Sequence, residues 1–179
     1  AARARNAGFM RLLAIAPGLD YVQFVDGDCE LADPWLPAAH AFLDNHPQVA
    51  VVCGRRRERY TGKSVYNLLC DMEWDTPVGE TRACGGDAMM RCTAFAAAGG
   101  YRAGLIAGEE PELCLRLRAN GWRIWRLDAD MTWHDAAMLH FNQWWKRNLR
   151  AGHAFAEGAA LHGTGEENHW VHECASALL

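Results

Sequence analysis

Three stretches carry side chains that can do chemistry. Asp26-Gly27-Asp28 puts two carboxylates one residue apart, directly after the apolar run Tyr21-Val22-Gln23-Phe24-Val25. In an α/β sheet, ligands collect at the carboxyl ends of strands. Two carboxylates there suit a hard divalent cation and, through it, a phosphate. Standing alone, the same spacing more often describes a solvated turn. It is not a calcium loop, because the sixth position is Leu31, where an EF-hand requires Gly. Gly108-Glu109-Glu110-Pro111-Glu112 sets three carboxylates at the start of a helix, where the macrodipole favours them. Capping is the plain explanation; the chemical one is a general base kept ionised at neutral pH. His134, in Met131-Thr132-Trp133-His134-Asp135, comes after a strand and is a candidate metal ligand, although a lone His is more often structural. The basic cluster Arg55, Arg56, Arg57, Arg59 and Lys63 suits phosphate, but a charge run of this kind is ordinarily a solvated loop.

The elements that must position these residues follow from periodicity and punctuation. Phe9, Leu12, Leu13 and Ala16 recur at helical spacing, with Arg3, Arg5 and Arg11 elsewhere on the wheel, so residues 3–16 are expected to be a helix stopped by Pro17-Gly18. Asp33-Pro34 reads as a cap and first helical position for a helix to about Asn45. Strands are expected over 21–25, 48–53, 84–91 and 123–127, the third entered through Gly85-Gly86. Helices are expected over 64–72, 93–98, 111–120 and 139–157. The alternation of helix and strand predicts an α/β fold with a mostly parallel central sheet flanked by helices.

The chain has 179 residues, half of them hydrophobic, which is enough for one domain with a sizeable core. Its formal net charge of −4 does not support a broad nucleic-acid or anionic-membrane surface. The longest apolar runs, Leu12 to Pro17 and Val49 to Cys53, fall far short of the ~18–20 residues that span a bilayer. Seven Cys with no C-x-x-C pair argue for free, mostly buried thiols in a reducing compartment rather than a disulfide or zinc framework.

The ordered set Arg5-Asn6-Ala7-Gly8, Phe24-Val25-Asp26-Gly27-Asp28, Gly85-Gly86-Asp87-Ala88-Met89-Met90-Arg91 and Gly108-Glu109-Glu110-Pro111-Glu112-Leu113-Cys114 resembles the family 2 glycosyltransferases of the GT-A fold. The resemblance covers about residues 3–150 and leaves 151–179 as a C-terminal helical extension. It implies a nucleotide-sugar donor, a hydroxyl acceptor, a Mg²⁺ or Mn²⁺ cofactor and inverting transfer. By the match, Asp28 would hold the cation on the donor diphosphate, and Asp26 would contact the cation or the ribose. Glu110 would be the catalytic base, with Glu109 as the other candidate, because Glu stands where the family has Asp. Gly85, Gly86 and Asp87 would lie against the donor sugar and acceptor, and His134 would complete the metal shell. Trp74, Trp133, Trp144 and Trp145 offer flat faces to sugars, with core packing as their plainer fate.

Two departures shape the expectation. The processive polymerases of the family carry Q-x-x-R-W, whereas Gln143 is followed here by Trp144-Trp145-Lys146-Arg147, which disfavours processive synthesis. The resemblance also implies a first strand and early Asp residues before the Arg5-Asn6 helix, so the chain reads as a partial catalytic domain, incomplete at its N-terminus. Any membrane association would then come through missing segments, and a cytoplasmic location is expected. The competing readings are an inactive nucleotide-sugar-binding domain of the same fold, a metal-dependent phosphohydrolase using Asp26 and Asp28, and a purely structural fragment. Phosphatases that begin Asp-x-Asp continue with Thr or Val, and Glu30 stands at that place.

Overall fold

The computed structural model describes residues 1–176; the last three positions of the expected C-terminal extension lie outside the described residues. Six strands form one sheet: β1 (Tyr21–Phe24), β2 (Cys29–Leu31), β3 (Val49–Glu58), β4 (Gly79–Thr81), β5 (Ala88–Arg91) and β6 (Arg123–His134). Around it lie α1 (Ala2–Ile15), α2 (Trp35–Asn45), α3 (Val65–Glu73), α4 (Cys92–Ala97), α5 (Glu109–Ala119), α6 (Phe141–His162) and α7 (Val171–Ser176).

The α/β class holds, but the sheet is less parallel than helix–strand alternation suggested. Its order is β1-β5-β3-β6-β2, with β4 beside β6. Only β3 and β6 pair in parallel; β1 with β5, β3 with β5, β2 with β6 and β4 with β6 are antiparallel. Alternation says which segments are strands, not which way each one runs. Here β5 enters reversed between β1 and β3.

The core is the apolar face of these strands under α2 and α5. Val49, Val51, Val52, Ile124, Leu113 and Leu117 are buried with Trp35 and Leu43 of α2. Gly54 lets β3 pass beneath Trp35, because a Cβ there would lie 2.7 Å from Trp35 Cζ3. Phe9 anchors α1 against Phe95, with ring centroids 4.6 Å apart. Leu12, expected on the same stripe, is exposed.

The differences in boundaries are informative. The helix expected from Pro111 starts at Glu109, capped by Gly108. The helix expected from Pro34, with Asp33 as its cap, starts at Trp35 with Pro34 in the cap position. The strand expected from Cys84 begins at Ala88. The strand expected to end at Cys53 runs on to Glu58, and β6 runs on to His134, because each gives the other a hydrogen-bonding edge. That extension corrects the reading of the basic cluster as a solvated loop. Arg55, Arg56 and Arg57 lie on β3, and each pairs with an acid: Arg55 with Asp71 at 3.2 Å, Arg56 with Asp87 at 2.8 Å and Arg57 with Asp130 at 3.5 Å. All seven cysteines are free, and five of them are buried. No described helix is long and apolar enough to cross a membrane.

Candidate functional site

Sheet register brings the acidic motifs together. β1 and β5 are antiparallel with Phe24 opposite Ala88, so the residues leaving β1 meet those entering β5. The Asp26 N–H donates to Asp87 Oδ1 at 2.8 Å. Asp87 is fully buried; its Oδ2 accepts from Thr132 Oγ1 at 2.8 Å and pairs with Arg56 Nη2 at 2.8 Å. With every carboxylate oxygen engaged inside the protein, Asp87 anchors the Asp26-Gly27-Asp28 turn. Gly86 is required by close approach, since a Cβ there would fall 2.5 Å from Asp26 Oδ2 and 2.8 Å from Arg5 Nη2.

Arg5 joins the two acidic motifs. Its guanidinium pairs with Asp26 through Nη2 and with Glu110 through Nη1, and Nη1 also lies 3.4 Å from Glu109 Oε1. The next residue, Asn6, clips the loop before α5: its Nδ2 donates to Tyr101 O at 2.8 Å, and its Oδ1 accepts from Tyr101 N at 2.9 Å. One turn of α1 thus fixes both the acids and their loop.

Charge is distributed unevenly among these groups. Burial pushes the Glu110 carboxyl up, the neighbouring Glu109 adds to this, and Arg5 opposes both. The macrodipole at the start of α5 favours the Glu110 carboxylate, and burial acts against it. Asp26 is also part-buried, but hydrogen bonding and charge from Arg5, with Arg56 behind it, hold it below the usual carboxylate range. Arg56 Nη2 lies 3.3 Å from Asp26 Oδ2, so both Asp26 oxygens face arginines.

Asp28 and His134 meet at the other end of the turn. Cys29 of β2 stands opposite His134 of β6, and Glu58 of β3 stands beside His134 on its other side. His134 Nε2 is 3.2 Å from Asp28 Oδ2, and His134 Nδ1 is 3.7 Å from Glu58 Oε2 with no hydrogen-bond partner. Asp28, Cys29 and His134 each offer a ligand atom, all within 4.8 Å of one another. A mostly exposed carboxylate, an imidazole with a free inner nitrogen and a carboxylate behind that nitrogen make a donor set that fits a divalent cation. Glu58 itself is fixed by the backbone N–H groups of Tyr60 and Ala136, each at 2.9 Å.

Two clefts share Cys84 and Gly85 as a common wall. One, of about 280 Å³, is lined by Gly54, Arg56, Trp74 and Arg126. The other, of about 330 Å³, is lined by Gly108, Glu110, Arg147, Phe155 and Trp170. The structure therefore brings Asp26, Asp87, Glu109 and Glu110 into one network through Arg5, places Asp28 and His134 beside it, and puts Gly85 between the clefts. Of the four tryptophans, Trp133 and Trp145 are exposed and Trp74 and Trp144 half-buried, so none has the core fate. Glu58 and Thr132 carried no signal of their own in the sequence, and Arg56 only that of its basic cluster. Their roles come from strand register.

No protein-family model matches the chain, and no curated protein matches it. Solved structures do match. Staphylococcus aureus TarS residues 1–349 has a TM-score of 0.57 and 17% identity over 99% of this chain and 50% of that one. A longer TarS structure gives 0.58 and 17% identity over 99% of this chain and 30% of that one. GalNAc-T7, solved with UDP, GalNAc and Mn²⁺, gives 0.56 and 13% identity over 97% of this chain and 40% of that one. The fold is GT-A-like. TarS and GalNAc-T7 are glycosyltransferases, and this chain spans half or less of the length of these three structures.

Proposed function

We propose that the chain is the catalytic part of a non-processive, metal-dependent glycosyltransferase of the family 2 kind. It would move a sugar from a nucleotide-sugar donor to a hydroxyl acceptor with inversion. The observation that carries this reading is the Arg5 bridge, which holds Glu110 within one guanidinium of the Asp26-Gly27-Asp28 turn. A leaving-group site and a base must stand that close for a single displacement.

Asp28 and His134 are the residues to hold Mg²⁺ or Mn²⁺, with Glu58 behind the imidazole. A bound cation would offset the negative charge that develops on a departing nucleoside diphosphate. Asp26, with both oxygens facing arginines, is assigned to positioning Arg5 and the turn rather than to the cation. Glu110 faces the second cleft, where an acceptor hydroxyl would lie, and accepts its proton as the hydroxyl attacks the sugar. Burial raises its pKa and Arg5 opposes that rise, which is the direction that suits a general base. Glu109, more distant from Arg5, is assigned to tuning Glu110 by like charge.

The test is a screen of nucleotide-sugar donors with Mn²⁺ present, scoring nucleoside diphosphate release with and without candidate acceptors. Release that needs both Mn²⁺ and an acceptor supports the proposal. Donor binding without turnover, under every acceptor, would leave a binding domain of the same fold. Phosphate release without acceptor would point to a hydrolase.

A further inference from the structure

One residue on β6 is out of place in its strand. Residues 124 and 126 point to the same side of the sheet. Ile124 is fully buried in the core, and Arg126, at only 4% exposure, holds the next inward position. A buried arginine is normally paired closely with an acid. Arg126 is not. Its Nη1 donates to the neutral Thr76 hydroxyl, and its Nε has no hydrogen-bond partner. The nearest carboxylate oxygen, Asp75 Oδ1, is 3.8 Å from Nη2, on a side chain that is 57% exposed and already paired with Arg55.

Arg126 forms part of the wall of the 280 Å³ cleft, with Gly54, Arg56, Trp74, Gly85 and Met131. The other charges there are spoken for. Arg56 pairs with Asp26 and Asp87, and Glu73 is bound by Arg147 at 2.7 Å and 3.1 Å. The cleft therefore keeps one incompletely neutralised cation, in a space at the small end of the range for ligand sites and on the scale of a single sugar ring.

We propose that this cleft binds an acidic sugar unit, and that the Arg126 guanidinium recognises its anionic group. The shared chemistry is a ring bearing a carboxylate or a phosphate, both of which match the guanidinium fork. The inference rests on the sugar-transfer reading above and names the substrate class of that site.

The experiment is a set of binding titrations by saturation-transfer NMR on the whole chain. The probes are methyl β-D-glucuronide, glucose 6-phosphate and neutral methyl β-D-glucoside. UDP with Mn²⁺ is titrated separately. The acidic rings should bind about tenfold more tightly than the neutral one, the scale of one charge-assisted hydrogen bond. The two acidic probes distinguish a uronate from a phosphate as the natural group. Arg126→Gln should erase the preference, and Arg126→Lys, which keeps charge without the fork, should retain a few-fold of it. Arg123→Gln, on the outer face of the same strand, should leave it intact. Circular dichroism checks that each variant folds, and Arg126→Lys carries the test if Arg126→Gln does not. Equal affinity for acidic and neutral rings overturns the proposal, as does a preference that survives at Arg126→Gln. Competition between the glucuronide and UDP would also overturn it, since the cleft would then be the diphosphate's own. Loss of UDP and Mn²⁺ binding with the acidic preference intact would count against the transferase reading alone.

Discussion

Arg5→Met tests the bridge directly. The substitution keeps a long apolar stem and removes the guanidinium that pairs with Asp26 and Glu110, side chains that are 30% and 13% exposed against 11% for Arg5. Removing one partner of a buried pair costs about 3–5 kcal/mol. Asp26 keeps Arg56 and is part-exposed, so the low end, about 3 kcal/mol at pH 8, is expected. The sign with pH follows from Glu110. Its folded pKa already lies above the ordinary value, mainly through burial and then Glu109, so its ionisation disfavours the fold as pH rises from the unfolded pKa through the folded one. Losing Arg5 raises that folded pKa further. The variant's penalty is therefore fully expressed above the new pKa and shrinks as acid protonates Glu110. Near pH 4.5, at the usual Glu pKa, about 1 kcal/mol of deficit should remain from lost packing and the weakened Asp26 pair. Urea unfolding of both chains at pH 4.5, 6 and 8 reads this. A deficit that stays the same across that range would mean the guanidinium works through its contact with the Tyr101 ring, 5.4 Å away, and the account through Glu110 would fail.

Further tests address chemistry and fit. Glu110→Gln should lower transfer by about two to four orders of magnitude, the range for losing a general base, with Glu109→Gln milder. Near wild-type rates for Glu110→Gln with a dead Glu109→Gln would move the assignment one residue back. The acidic limb of kcat/KM against pH should fall above the ordinary Glu range and vanish in Glu110→Gln, because Glu110 is raised by burial. Asp28→Ala and His134→Ala should each abolish Mn²⁺-dependent UDP binding in calorimetry, while Glu58→Gln should weaken it by about 10–100-fold through the imidazole. Gly86→Ala should lower stability by about 1–3 kcal/mol, the usual cost of overpacking, because its Cβ would crowd Asp26 and Arg5; an unchanged melting curve would show that the turn can yield.

What the sequence made legible divides along a physical line. Asp26, Asp28, Glu110 and His134 stood out as candidates because each motif follows a strand or opens a helix, and strand ends and helix starts leave local marks. The pairings that set their chemistry left none. Arg5 stood on an amphipathic wheel and in the Arg5-Asn6-Ala7-Gly8 stretch of the resemblance, neither of which names its acids, and Arg56 looked like part of a solvated charge run. Neither pairing partner is within reach along the chain: Arg5 meets Glu110 across 105 positions, and Arg56 meets Asp26 across 30. Strands of three residues, such as β2 and β4, are too short to show alternation, yet β2 is what puts Cys29 and Asp28 beside His134. Direction was equally hidden. Because β5 runs antiparallel to β1, Asp87 meets the Asp26 turn at the sheet end; a parallel β5 would have carried Asp87 to the opposite end and left the turn without its anchor. The site thus depends on a feature that residue type and periodicity do not encode. Arg126 is the instructive exception. A charge at an inward position of a strand is visible in the run Arg123-Ile124-Trp125-Arg126, and only the surrounding structure reveals that its nearest acid, Asp75, lies 3.8 Å away and is shared with Arg55.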